Sequence, residues 1–395
     1  MSKKNDKRGA TAPLLHSQVQ LTVEKLSMGG NGVARHEGFV VFVQQAAPQE
    51  EVIAKITYVK KNFAEAEIVK ILKPSPYRRE PPCPVANVCG GCNWQHVTEE
   101  GQQLQKSLIV SETLKKFLPT VSFDFLPLQP SPRSFRYRNR IQPKFDGVNF
   151  GFFARNSHKI VPITDCPITE EALTAKFPEV KAWAQKNHRA NQGDRGIQRL
   201  EMYIADNEEI RYGSITDEDD GVGFSQVNRF QNQNLIDTAL EWAGDENYKS
   251  VLDLYAGAGN FTFPFAAKYS SAKVVGVELN EKLVKKAKTL VHGLSTSFFE
   301  SEVEAYLRKN PPQSELIILD PPRAGCSEYS MRTLAKSNAR KIIYISCHPV
   351  SLARDLKWFF DEATVTQKNW QIKRVQCFEM FPQTDHVETI VELHC

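Results

Sequence analysis

The chain has 395 residues, of which 41% are hydrophobic and 24% charged, and a formal net charge of +4. That length implies two or three domains, and the composition is ordinary for a globular protein. No apolar run is long enough to span a bilayer and no secretory signal precedes the first domain, so a cytoplasmic protein without a membrane partner is expected.

The mild positive balance is compatible with an RNA partner without being diagnostic of one. The eight cysteines are unevenly spaced. In a large chain this points to a reducing compartment, with thiols serving a metal or catalysis rather than disulfides. There is no internal repeat.

Residues 1–16 are polar, basic and aperiodic and read as a disordered tail. From 17 to 74 the pattern changes. Gln18–Val23 alternates like a half-buried strand, Met28–Ala34 is a glycine turn, and 39–43, 51–56 and 64–69 are further short strands. Short strands at this spacing suggest an OB-like β-barrel, a fold that often grips single-stranded nucleic acid. With its Gly-Gly-x-Gly-Val-Ala turn, this stretch resembles the TRAM domain of RNA-modifying enzymes.

A central region, 75–223, opens with Cys83, Cys89 and Cys92, spaced Cys-x5-Cys-x2-Cys, and carries a fourth thiol at Cys166. Three close thiols and a remote one can enclose an iron–sulfur cluster. Structural zinc, which more often uses two local pairs, is the alternative. A polar helix is expected over 98–118. In Ser134–Ile141 basic residues alternate with aromatic or apolar ones. As a strand it would set Arg136, Arg138 and Arg140 on one face, extended by Arg155, His158 and Lys159, either as a phosphate-binding surface or as a solvated edge. Strand pairs joined by a solvated acidic loop, 216–221, follow in 197–224, and then a helix near 232–242.

Residues 224–395 read as α/β, a doubly wound, Rossmann-like domain. The strand 250–255 exits into Ala256-Gly257-Ala258-Gly259-Asn260-Phe261. The second strand, 273–278, ends on Glu278, which can accept bonds from both ribose hydroxyls of a nucleoside cofactor. The Gly-x-Gly loop alone leaves NAD and S-adenosylmethionine (SAM) equally open. A third strand, 316–319, delivers Asp320 to the same crevice, either for function or as a helix cap.

The strand 343–346 ends in Cys347-His348-Pro349. A cysteine at a strand's carboxyl end faces the ligand crevice, and a neighbouring His and a following helix N-terminus would both favour thiolate. The alternative is a small buried hydrophobe. Residues 377–391 read as a loop running into a terminal strand.

The series Phe-x-Gln-x-Asn (224–228), Asp-Leu-Tyr-x-Gly-x-Gly-Asn-Phe (253–261), Asp-Pro-Pro-Arg-x-Gly (320–325), Ser-Cys-x-Pro (346–349) and His-Val-Glu (386–388) resembles the RNA 5-methyluridine methyltransferases. The resemblance covers nearly the whole chain: TRAM barrel, central cluster domain and SAM-dependent methyltransferase domain. It implies SAM-dependent methylation of carbon 5 of a uridine, most naturally in large-subunit ribosomal RNA, with tRNA as the alternative. Carried over by motif, Cys347 is the nucleophile and Glu388 the base. Gln226, Tyr255, Glu278 and Asp320 bind SAM with Asn260 assisting, and Cys83, Cys89, Cys92 and Cys166 hold a 4Fe-4S cluster. A monomer with no DNA partner is expected. Competing classes are a non-catalytic RNA-binding iron–sulfur protein and a nicotinamide-dependent oxidoreductase.

Overall fold

The computed structural model describes residues 11–188, 196–205, 207–215, 226–291 and 293–395. Most of the expected tail, the acidic loop 216–221, and Phe224 and Ser225 lie outside the described residues. The chain divides into two units. The first comprises the described residues up to Ile109, Phe152–Val161 and Pro382–Asp385, and the second Val110–Gly151, Pro162–Phe381 and His386–Cys395.

The first unit is built on a closed five-stranded barrel: β1 (Gln18–Leu26), β2 (Gly32–His36), β3 (Phe39–Gln44), β4 (Glu51–Val59) and β5 (Phe63–Lys73), in the order β1-β2-β3-β5-β4. Strict alternation explains the closure. In β3, Phe39, Val41 and Val43 point inward while their neighbours face out, and Val52, Ala54, Ile56, Ala64 and Ala66 complete the interior. A Cβ on Gly32 would stand 2.8 Å from both Ala46 and Val23, so the β1–β2 turn needs glycine there. Beyond the barrel, the buried Glu50 accepts bonds from Ala47 N and the Arg78 guanidinium. The segment Pro382–Asp385 is built into this unit. Trp94 N donates to Gln383 O at 3.0 Å, and Asp385 accepts from Gly29 N and from Asn93 Nδ2. Nothing in the sequence pattern marked these four residues as leaving their surroundings.

Helix α1 (Glu99–Phe117) matches the expected polar helix. After it come β6 (Asp124–Gln129), β7 (Arg140–Ile141), β8 (Lys144–Phe145), β9 (Phe150–Phe153), β10 (Ile160–Pro162), α2 (Glu171–Thr174), α3 (Phe177–Asn187), β11 (Gln198–Ile204) and β12 (Ile210–Ser214). Strand β11 pairs with β7, β8 and β12 in a small antiparallel sheet.

The stretch 134–139 is not the continuous strand its alternation suggested. Arg136 takes a positive φ of 53°, and Tyr137 is fully buried. Arg136 holds Asp165 through two guanidinium nitrogens at 2.8 Å, and Arg140 pairs with Glu201. Like charges on one face are avoided because separate carboxylates draw two of the three arginines apart.

The rest of the second unit is doubly wound: α4 (Arg229–Ala243), β13 (Ser250–Leu254), α5 (Thr262–Lys268), β14 (Lys273–Glu278), α6 (Glu281–Leu290), β15 (Thr296–Glu300), α7 (Val303–Lys309), β16 (Leu316–Leu319), α8 (Glu328–Ala335), β17 (Lys341–Ser346), α9 (Pro349–Val365), β18 (Gln371–Phe378) and β19 (Glu388–His394). The eight-stranded sheet runs β15-β14-β13-β16-β17-β19-β18-β6. Strands β13 to β17 are mutually parallel, and β19 enters antiparallel between β17 and β18.

Each face of the sheet has its own core. Leu252, Leu254, Ile317, Leu319, Ile342 and Tyr344 pack with α8 and α9, whereas Val251, Leu316, Ile318, Ile343, Ile345 and Ile390 pack with α4 and α5. Near-continuous apolar runs such as Leu316–Leu319 are what a strand covered on both faces requires.

Candidate active site

The chain leaves β13 towards β14 and β15 on one side of the sheet, then returns to β16 on the other. The crevice at the carboxyl ends of β13 and β16 is therefore the switch point where open α/β sheets hold ligands. Register shows what reaches it. Leu254 pairs with both Val277 and Leu319, so Tyr255, Glu278 and Asp320 leave their strands at one level. Ser346 pairs with Thr389, and the antiparallel step beyond sets Cys347 opposite Glu388.

Side-chain alternation then fixes the face. Asp253, Asp320, Cys347 and Glu388 have the parity of Val251, Ile318, Ile345 and Ile390, so all four project to the α4–α5 side. Antiparallel entry of β19 is what makes this possible, because it brings the start of that strand, not its end, to the carboxyl edge.

The glycine loop after β13 is held in a defined conformation. Gly257 and Gly259 take positive φ values of 56° and 96°. The Glu278 carboxylate accepts the Gly257 N–H at 3.0 Å and the Asn280 N–H at 2.7 Å, which leaves lone pairs on both oxygens for ribose hydroxyls. Asn260 exchanges two amide hydrogen bonds with Asn232 of α4, tying the loop to that helix. Gln226 is half-buried, two residues before Asn228. Asn228 caps α4, accepting from Gln231 N and donating to Ser131 Oγ and Met380 O.

Tyr255 stands apart from the others. Its positive φ of 65° turns the ring to the α8–α9 side, where its hydroxyl bonds the buried Cys326 thiol. Beneath it, Asp355 accepts from Cys326 N and Tyr344 OH, and Ser351 and Arg354 hold the carbonyls of Arg323 and Ala324. This network was invisible in sequence, since its members are scattered from 255 to 355. It locks the exit of β16 to the first turns of α9.

Charge at the site differs from the sequence expectation. Burial pushes the Cys347 thiol up to about 12, and the Glu388 and Asp320 carboxyls add to the shift while Arg323 opposes it. His348 does not supply the expected imidazolium. Its ring accepts the Ser351 N–H as the cap of α9, and burial with Arg323 and Arg354 keeps it neutral. Glu388 is 2% exposed, and burial, reinforced by Asp320, pushes its carboxyl well above the usual carboxylate range. Asp320 and Asp253 are each pushed up to about 7 by burial, and Asp253 raises Asp320 further. Burial thus raises the carboxyls of Asp253, Asp320 and Glu388 together with the Cys347 thiol.

The eight cysteines carry no disulfide. Around Cys83, Cys89 and Cys92 the loop is folded on Arg155, whose guanidinium donates to Ala86 O and Cys92 O at 2.9 Å and to Cys89 O at 3.3 Å. Gly91 N–H points at Cys89 Sγ, 3.4 Å away. These three residues belong to the first unit and Cys166 to the second, where Arg136 holds its carbonyl. Among the described residues no group of three or more His, Cys, Asp or Glu side chains is arranged as a metal site.

Residues 16–69 match the TRAM domain family, and residues 307–395 match the tRNA (Uracil-5-)-methyltransferase family. Over 394 residues the chain is 63% identical to an uncharacterized RNA methyltransferase of Bdellovibrio bacteriovorus, covering 100% of this chain and 99% of that one. It is 30% identical to the 23S rRNA (uracil(1939)-C(5))-methyltransferase RlmD of Shewanella halifaxensis, over 96% of each chain. The chain belongs to the RNA (uracil-5-)-methyltransferase family. It is accordingly a SAM-dependent RNA methyltransferase, and the nicotinamide and non-catalytic alternatives fall away. The fold of this methyltransferase is also that of the Pyrococcus abyssi tRNA (uracil-54, C5)-methyltransferase solved with S-adenosyl-L-homocysteine. The TM-score is 0.71 at 22% identity, over 95% of this chain and 100% of that one. Among the described residues no helix is long and apolar enough to cross a membrane.

Proposed function

We propose that the enzyme methylates carbon 5 of a uridine in large-subunit ribosomal RNA through a transient covalent bond between Cys347 and the ring. The observation that carries this is the register that sets Cys347 opposite Glu388, with Asp320 within electrostatic reach of both. Similarity to the 23S rRNA enzymes over 96% of the chain supports the choice of RNA.

Carbon 5 of uracil is too weak a nucleophile to take a methyl group unaided. The Cys347 thiolate adds to carbon 6, and the ring's double-bond electrons move towards the oxygen on carbon 4 as an enolate. Carbon 5 then uses that electron pair to take the methyl group, whose bond to the donor's sulfur breaks with both electrons left on that sulfur. Glu388 removes the carbon-5 proton, the double bond re-forms, and the sulfur leaves with its electron pair. The target nucleotide is flipped out of its stack, at a cost of a few kcal/mol.

Gln226, Asn260, Glu278 and Asp320 fit a nucleoside cofactor, Glu278 through its two oxygens across the glycine loop. Tyr255 would bound the same site from beneath. SAM, when bound there, supplies an electrophilic methyl group on a positively charged sulfur. A positive charge in this crevice favours ionisation of Cys347, Asp320 and Glu388, all three of which burial shifts towards their neutral forms.

Cys83, Cys89, Cys92 and Cys166 are thiol donors of the kind a 4Fe-4S cluster takes, and the N–H aimed at Cys89 Sγ suits a cluster ligand. No step above moves electrons in or out, so a cluster held by these thiols would serve structure rather than chemistry.

The test is RNA carrying 5-fluorouridine. Fluorine cannot leave as a proton, so wild-type enzyme with SAM is expected to form a stable protein–RNA adduct, and Cys347→Ala none. An active Cys347→Ala enzyme would overturn the mechanism. Mapping 5-methyluridine in RNA from a strain lacking the enzyme tests the substrate, and loss from tRNA alone would refute the ribosomal assignment.

A further inference from the structure

The sequence placed the RNA-binding charge on Arg136, Arg138 and Arg140, but carboxylates occupy the first and last of these. Arg138 is half-buried, its Nε enclosed without a hydrogen-bond partner. A few residues upstream, Arg133 is exposed and pairs with no carboxylate among the described residues. Its guanidinium lies 4.0 Å from the centroid of the Phe230 ring. Arg229 approaches the same ring at 5.3 Å, but its charge is committed to Glu170 and Glu208. Arg133 is therefore a cation held over an aromatic ring, with no carboxylate partner among the described residues.

The pair is rigidly mounted. Ser131 Oγ donates to Arg133 O at 2.8 Å and accepts from the buried Asn228 amide, which also grips Met380 O. Gln231 Nε2 donates to Gln129 O, joining α4 to the end of β6.

Its place is set by strand order. Glu388 pairs with Phe378, and Phe378 with Gln129, so β6 ends at the same edge of the sheet as the nucleophile. Gln129 stands three strand spacings from the Cys347 position, roughly 14 Å. A few nucleotides of single strand cover that span.

We propose that Arg133 and Phe230 form a binding platform for the RNA strand flanking the flipped uridine. The outer face of the guanidinium takes a nucleobase by stacking and its N–H edge takes a phosphate. Contact with Phe230 holds the guanidinium in place beforehand, so less side-chain freedom is lost when RNA binds. This rests on the reading of the chain as an RNA methyltransferase and adds the surface by which it holds its substrate next to the target.

The experiment uses the full-length protein with its cofactors and ribosomal RNA from a strain lacking the enzyme. Methyl transfer gives KM and kcat, and SAM affinity is measured separately by calorimetry. Arg133→Ala is expected to raise KM for RNA about five- to tenfold with kcat and SAM affinity unchanged. It should also shallow the salt dependence of RNA binding by about 0.7 in log–log slope, the loss of one phosphate contact on a single strand. Phe230→Ala should raise KM while leaving the salt slope within error, because the charge remains. Arg133→Lys should restore the slope but not the full KM, since an ammonium cannot stack. Unchanged KM and slope in Arg133→Ala, or an equal loss of SAM affinity, would overturn the platform. Wild-type protein that methylates no RNA would instead sink the reading beneath it.

Discussion

Asp253 tests the electrostatics of the crevice without touching the proposed nucleophile, Cys347. It is 1% exposed, and its Oδ1 has no hydrogen-bond partner. Burial raises its carboxyl from 3.8 to about 7, opposed by the Thr262 hydroxyl and amide and reinforced by Glu278. Because the folded value lies above the unfolded one, the native state keeps a proton that the unfolded chain has already lost. Stability is therefore whole below the unfolded value and declines as pH climbs to the folded one. The window is about three pH units, and at about 1.4 kcal/mol per unit the full penalty is ~4 kcal/mol. Asp253→Asn keeps an oxygen for Thr262 and removes the ionisation. In urea unfolding followed by circular dichroism, wild-type stability should fall by about 3 kcal/mol between pH 5 and pH 8 more than that of the variant. The variant should be the more stable protein at the upper end. Since Asp253 also raises Asp320, the neighbouring carboxyl should titrate lower in the variant. Parallel pH slopes for the two proteins, or a variant weaker at pH 8, would refute the reasoning.

Glu388→Gln should methylate the ring yet fail to remove the carbon-5 proton, so ordinary RNA with SAM is expected to give a trapped covalent complex on denaturing gels; normal turnover would move the base elsewhere. With the Cys347 thiol pushed up to about 12, adduct formation by the wild type at limiting SAM should rise roughly tenfold per pH unit above neutrality. Quench-flow measurement checks this, and a flat profile would mean the thiolate is already formed. Gly325 has a positive φ of 78°, and a Cβ there would collide with Asp355 Oδ2. Gly325→Ala should therefore cost about 3 kcal/mol, read as a lowered Tm together with slower adduct formation.

Much of the catalytic half was legible because its signals are local. Apolar β-branched runs at 250–254, 273–278, 316–319 and 341–346 form buried strands in any order of pairing, and the residues after them fall at strand exits by construction. The barrel was legible for the same reason, its alternation in Phe39–Gln44 being self-evident. Strand β18 was missed, because Gln371–Phe378 mixes charged and apolar residues without clean alternation. The basic run 134–140 misled because alternation was read as a strand, whereas Asp165 and Glu201, 29 and 61 residues away, decide where its arginines go.

Local periodicity is enough to set Glu278, Asp320 and Cys347 at the ends of strands and the glycine loop at the exit of β13. Periodicity is a property of consecutive residues and needs no partner. Long-range pairing is what brings β19 in antiparallel beside β17, which turns Glu388 towards Cys347 from 41 residues further along the chain. The upward shift of both groups has the same origin, since pairing and desolvation depend on what the rest of the chain places around a group.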